Sequence, residues 1–242
     1  MDKIDFTFGV ITGGDAGVWV NKLIDSIERQ KIPNYEIIIV GGDIVDRKNV
    51  VHIPFDENIK SKWITKKKNL ITKYAKYDNV VYMHDYIYLD DNWYQGFLKN
   101  GDNFKACMTV ITNENGTRFR DWTLGYVILK KIPIDYRFLI PYDMTHLSKW
   151  MYFSGAYWVA KKSVMTEFPL DENRVWGQGE DSEWSVRFRR KYKFSINSNS
   201  IVHLQKQQDV VFNLPNERDL RLLNNIDSDE ESDPYLNNQK RR

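Results

Sequence analysis

The residues with the most evident chemistry are Trp176-Gly177-Gln178-Gly179-Glu180-Asp181-Ser182-Glu183-Trp184. Two glycines permit a tight loop, and two adjacent carboxylates follow. The run Ser182 to Lys191 then alternates apolar and basic residues in a way a helix sorts onto faces. The pattern predicts Glu180 and Asp181 at a loop–helix junction, flanked by Trp176 and Trp184. Carboxylates beside aromatic planes can hold a sugar and take a proton from its hydroxyl. The same residues also suit an ordinary helix start, where the dipole favours acidic side chains.

A second set lies at His84-Asp85-Tyr86, just after the apolar run Val80 to Met83. A carboxylate at a strand end can bind a divalent cation that bridges two phosphates. His203 follows another apolar strand and offers a nitrogen ligand, so Asp85 with His203 predicts Mn2+ or Mg2+, with imidazole favouring Mn2+. The basic run Lys66-Lys67-Lys68-Asn69 sits near a helix start, where basic groups and helix amides can meet a diphosphate. A solvated helix face explains such a run equally well.

These residues need a scaffold. Phe6–Thr12, Glu36–Val40, Val50–Pro54 and Val80–Met83 read as strands, with helices over Val18–Arg29, Ile64–Tyr77 and Asn92–Leu98. Ile64, Leu70, Ile71 and Tyr74 are the expected apolar side of the second helix. The alternation predicts an α/β fold with a mostly parallel central sheet flanked by helices, in which ligands bind beyond the carboxyl ends of the strands. Three polar loops fall at those ends: Thr12-Gly13-Gly14-Asp15, Gly41-Gly42-Asp43 and His84-Asp85-Tyr86. Farther on, Phe104–Thr112, Trp122–Leu129, Phe194–Leu204 and Met151–Ala160 read as strands, the last with Ser154-Gly155 at its centre. A glycine there marks a close backbone approach to a ligand.

With 242 residues, 42% hydrophobic and 28% charged, the chain is expected to be one soluble globular domain over 1–225, followed by a disordered charged tail over 226–242. A net charge of +2 gives no case for nucleic acid. A single cysteine excludes an internal disulfide, and the lack of a leader-like or 18-residue apolar run predicts a cytoplasmic protein without a membrane span.

In order along the chain, these motifs resemble GT-A fold glycosyltransferases, especially family 2-like and galactosyltransferase-type (family 7) enzymes. Phe6–Asp15 resembles their first strand and nucleotide loop, with Thr12 and Gly13 toward the donor. Glu36–Asp43 resembles the second strand, whose terminal Asp43 contacts the base. Trp63–Leu70 resembles the helix that carries a basic residue and an Asn, here Lys67 and Asn69, near the donor. His84-Asp85-Tyr86 takes the place of the metal-binding Asp-x-Asp, keeping only Asp85, and His203 resembles the downstream metal-binding histidine. Ser154-Gly155-Ala156 resembles the segment that passes the donor sugar.

Trp176–Asp181 resembles the Trp-Gly-x-Gly-Glu-Asp acceptor motif. That resemblance implies a single-domain enzyme moving a hexosyl or N-acetylhexosaminyl group from a nucleotide-sugar donor, expected to be a UDP-sugar, to a glycan, glycoprotein or other hydroxyl acceptor, with inversion. Asp181 would act as base, while Glu180 and Trp176 would bind acceptor. Two other readings stay open on the sequence: a sugar-nucleotide nucleotidylyltransferase and a non-catalytic nucleotide-sugar-binding module.

Overall fold

The computed structural model describes residues 3–14, 17–124, 128–129 and 138–208, together with 212, 214, 216–218, 221 and 231–232. In chain order the first half comprises β1 (Phe6–Ile11), α1 (Gly17–Arg29), β2 (Tyr35–Val40), β3 (Val50–Ile53), α2 (Ile64–Tyr74), β4 (Asn79–His84), β5 (Ile87–Leu89) and α3 (Trp93–Asn100). The second half adds β6 (Ala106–Thr112), β7 (Thr123–Leu124), β8 (Ile128–Leu129), a 3₁₀ turn (Thr145–Trp150), β9 (Met151–Tyr152), β10 (Tyr157–Lys161), α4 (Lys162–Glu167), α5 (Glu180–Arg189), β11 (Ser195–Leu204) and β12 (Glu231–Ser232).

One sheet organises the chain, in the order β3-β2-β1-β4-β10-β6-β11-β5. The β3-β2-β1-β4 half is wholly parallel, as the crossover helices require. All six residues of β1 are buried, which follows from a continuous apolar run covered on both faces. β10 then enters antiparallel between β4 and β6, β11 is parallel to β6, and β5 closes the edge antiparallel to β11. This is the expected α/β class, with the carboxyl ends of β1, β2 and β4 on one rim of the sheet. Among the described residues no helix is long and apolar enough to cross a membrane.

The helices obey their periodicity with one instructive exception. α1 buries Val20, Leu23, Ile24 and Ile27 against the sheet, as its spacing predicts. α2 instead buries Lys67 and Lys68 beside Ile64 and Ile71, leaves Tyr74 exposed, and ends at Tyr74 rather than Tyr77. The two ammonium groups go inward because carbonyl and carboxylate oxygens wait for them there.

The segment expected as one strand over Met151–Ala160 is two, β9 and β10, separated by Phe153–Ala156. It breaks because the Gly155 N–H is bonded to a side chain of α5 instead of to a neighbouring strand. Of the strand expected over Trp122–Leu129, β7 and β8 are seen, and 125–127 lie outside the described residues. So does Asp15, and so does the expected tail apart from Glu231–Ser232, which pairs antiparallel with β8.

Trp184 is not beside the carboxylates as expected. It is 1% exposed, stacked on Phe153 at 5.2 Å and on Phe188 at 5.1 Å, and its indole N–H donates to the Phe168 carbonyl. Trp158 and Phe194 extend the same aromatic block, which fastens α5 to β9 and β10. A helix residue four positions after Glu180 faces the side that packs, and a large aromatic gains most from burial there.

Candidate functional site

Three cavities run along the rim and share walls. The first, of about 260 Å³, is lined by Thr12, Asn21, Asp43 and Arg47. The second, of about 440 Å³, is lined by Thr12, Gly13, Lys67, His84, Asp85 and Trp176. The third, of about 920 Å³, is walled by His84, Tyr86, Arg120, Gly155, Asp181 and Lys206, among others. Thr12 joins the first to the second, and His84 with Trp176 joins the second to the third. The result is one cleft beyond the carboxyl ends of β1, β2 and β4, where an open α/β sheet takes its ligands.

The carboxylate pair is held from several directions. Gly179 takes a left-handed conformation (φ 66°, ψ 40°) and turns the chain into α5 at Glu180. Asp181 Oδ1 accepts the Ser182 N–H at 2.7 Å, and its Oδ2 accepts the Gly155 N–H at 2.9 Å. The Ser185 hydroxyl donates to the Asp181 carbonyl and accepts the Phe153 N–H. A side chain at Gly155 would displace the two acids: a Cβ there would lie 2.9 Å from Glu180 Oε1 and 3.1 Å from Asp181 Oδ2. The glycine lets the β9–β10 connection touch both acids.

Lys68 supports this pair from beneath. It is fully buried, donates to the Gly155 carbonyl at 2.8 Å, lies over the Trp158 ring and stands 3.9 Å from Glu180. Burial pushes its pKa down, while the charges of Glu180 and Asp181 oppose that shift. Burial likewise pushes the Glu180 carboxyl up; Lys68 opposes this and the neighbouring Asp181 charge adds to it. Glu180 is 5% exposed, whereas Asp181 is half-buried and opens to the large cavity. Asp181 is therefore the acid that a ligand reaches, and Glu180 is the one sunk against the lysine.

The remaining expected residues sort clearly. Thr12, Gly13 and Lys67 meet in the second cavity, where Lys67 donates to the Thr12 carbonyl at 2.6 Å and pairs with Glu57. Asp43 lines the first cavity. Trp176 is 57% exposed, stands at the junction of the two larger cavities and carries Lys62 over its ring. Asn69 is turned elsewhere. Its amide bonds the Leu170 carbonyl and Glu172, and its oxygen accepts the Leu170 N–H. With Thr65 bonded to the Arg174 carbonyl and the Trp176 N–H to the Lys62 carbonyl, it ties the loop before Trp176 onto α2.

The two expected metal ligands are not brought together. His203 has both ring nitrogens engaged, with Thr112 at 2.7 Å and Asp90 at 3.2 Å, and packs on Tyr88. Asp85 faces Thr12, whose hydroxyl bonds its carboxylate, as does the Tyr86 N–H. Burial raises its pKa against those bonds and against the pull of Lys206 and Lys67. Among the described residues no group of three or more His, Cys, Asp and Glu is placed to hold an ion. A single carboxylate, already hydrogen-bonded and flanked by ammonium groups, is a poor donor set for a divalent cation. These residues do not fit one.

Three wall residues escaped the sequence reading: His84 as a wall rather than a spacer, Arg120 and Lys206. Burial first, then the charges of Lys68, Lys206 and Lys67, keep the pKa of His84 well below its ordinary value, so the imidazole is neutral. Arg120 has a left-handed backbone (φ 32°) and a buried Nε without a partner. Lys206 places its Nζ 3.9 Å over the Tyr86 ring.

No protein-family model and no curated protein matches the sequence. Solved structures do match. The crystal structure of GalNAc-T7 with UDP, GalNAc and Mn2+ is 12% identical at a TM-score of 0.61, covering 84% of this chain and 44% of that one. S. aureus TarS 1-349 in complex with UDP-GlcNAc is 12% identical at a TM-score of 0.55, covering 85% of this chain and 60% of that one. The UDP complex of the same TarS segment is 11% identical at a TM-score of 0.53, over 83% and 61%. This chain thus spans less than two thirds of the length of these proteins. The similarity identifies its fold as GT-A.

Proposed function

We propose that the chain is a glycosyltransferase that moves a hexosyl or N-acetylhexosaminyl group from a nucleotide-diphosphate donor, a UDP-sugar, to an acceptor hydroxyl, with inversion. The observation that carries this reading is the Asp181–Gly155 hydrogen bond beside Glu180, at the wall of a large cavity continuous with the strand-end loops. The solved GT-A structures that hold UDP or UDP-GlcNAc support a uridine donor.

On this reading the base lies against Asp43 and Thr12, and the diphosphate extends past Lys67 toward His84. The acceptor stacks on Trp176 with its hydroxyl toward Asp181. Asp181 takes the hydroxyl proton as the oxygen attacks the anomeric carbon. The bond from that carbon to the diphosphate oxygen breaks, and the nucleoside diphosphate leaves with the electron pair. Asp181 suits this role because its carboxylate is reachable and held in one orientation by two backbone N–H groups, so little is reorganised as the proton moves. Glu180, anchored on Lys68, keeps the start of α5 in place and borders the acceptor.

A thermal-shift panel tests the reading, because a ligand that binds only the native state raises the melting temperature. UDP and UDP-sugars are expected to raise it; a rise with nucleoside triphosphates and sugar 1-phosphates alone would favour nucleotidyl transfer instead.

A further inference from the structure

The large cavity has an acidic wall and a basic wall, and they differ in how their charges are answered. On the acidic wall Lys68 lies beneath Glu180 and Asp181. On the basic wall neither Lys206 nor Arg120 forms an ion pair with a carboxylate among the described residues: Lys206 feels Asp85 only at longer range and lies over the rings of Tyr86 and Trp19, and Arg120 lies over those of Phe119 and Phe212. Arg120 leaves a buried Nε without an acceptor and sits in a backbone conformation that non-glycine residues rarely adopt. Backbone strain and an unsatisfied buried donor are each features that cluster at ligand sites, and Arg120 has both.

Their position gives the ligand's chemistry. His84-Asp85-Tyr86 stands at the end of β4, and its two outer positions, His84 and Tyr86, line this cavity. Neither carries a negative charge that would draw in a divalent cation. The ammonium of Lys206 instead stands directly over the third position of the triplet, Tyr86. Lys206 arrives there because β11 pairs with β5 through Leu204 and Ile87, which carries the following residues past the end of β4.

Resting on the proposed glycosyl transfer, we infer that Lys206 and Arg120 bind the diphosphate of the donor and balance the charge that its leaving oxygen gains, the part a divalent cation would otherwise play. Arginine offers a planar fork to phosphate oxygens, and lysine a mobile point charge. Fixed cations aimed at a leaving group stabilise it as the bond breaks. Transfer then proceeds in the absence of added metal.

The test measures binding of UDP, GDP and inorganic pyrophosphate to the full chain by calorimetry, in EDTA and then in Mn2+, for wild type, Lys206→Met, Arg120→Met and the charge-keeping Arg120→Lys. Near-ultraviolet circular dichroism checks that each variant is folded. Expected is binding of at least one of these diphosphates in EDTA, weakened about tenfold by each loss of charge and largely kept in Arg120→Lys. Diphosphate binding that appears only with Mn2+ and is unchanged in Lys206→Met overturns this inference and leaves glycosyl transfer standing. No binding of any nucleoside diphosphate under either condition overturns both.

Discussion

The two walls of the large cavity are built in opposite ways. The acidic wall is wired into the backbone: Asp181 to Gly155 and Ser182, Ser185 to Phe153, Lys68 to Gly155 and Glu180. The aromatic block under α5 leaves that wall little freedom. Among the described residues the cations of the basic wall lie over rings and make no close ion pair. Groups that must hold one geometry during proton transfer are fixed by hydrogen bonds, whereas groups that close on an arriving anion keep their rotamer freedom until it binds. The difference separates positioning from capture, and substitutions can probe each.

The largest expected effect is on the acidic wall. Asp181→Asn keeps an oxygen for the Gly155 N–H and removes the base. Turnover should fall by about two to four orders of magnitude, while nucleoside diphosphate affinity stays close to wild type. Near-normal transfer would put the proton acceptor elsewhere. Next comes Lys68→Met, which leaves Glu180 buried without its cation and frees the Gly155 carbonyl. Chemical denaturation should show a loss of about 3 kcal/mol, the low end for breaking a buried pair. The double variant Lys68→Met/Glu180→Gln should recover part of it; no recovery would mean that the lysine acts only through packing.

Gly155→Ala tests the close approach with a smaller step. Its Cβ would press on both carboxylates. Turnover is expected to drop about tenfold, the scale of a modest displacement of positioned groups, with diphosphate affinity preserved. If affinity collapsed and turnover per bound donor did not, Gly155 would belong to the capture side. The smallest effect is in pH dependence. Because burial raises the folded-state pKa of Glu180 above its ordinary 4.5, its contribution to stability is complete below that value and is lost as pH rises through the folded-state value. Denaturation across that window should show a shallower decline in Glu180→Gln than in wild type, and parallel slopes would place the titrating group elsewhere.

Much of this comparison is local, and that decides what the sequence could tell. Gly179, Glu180 and Asp181 were legible together because turn chemistry and a helix start are encoded within a few residues. The parallel half of the sheet was legible from short β-branched runs alternating with amphipathic helices. Lys68 was not, because a lysine in a basic run reads as solvated until the carbonyl and carboxylate it meets are brought to it from Gly155 and Glu180. Trp184 misled for the converse reason, since an aromatic near two acids suggests stacking and only the packing of α5 shows which side it takes. His203 sits at the expected strand end, yet the pairing of β11 with β5 and β6 hands its ring to Asp90 and Thr112. Arg120 and Lys206 carry no local signal, because they become neighbours of one cavity through the sheet order alone.

The most direct measurement follows the fate of a nucleotide sugar by NMR, with wild type and Asp181→Asn side by side and water or added glycans as acceptor. The account predicts release of nucleoside diphosphate together with a sugar of inverted anomeric configuration, fast in wild type and nearly lost in the variant. Pyrophosphate release from a nucleoside triphosphate and a sugar 1-phosphate, with every nucleotide sugar left intact, would contradict it.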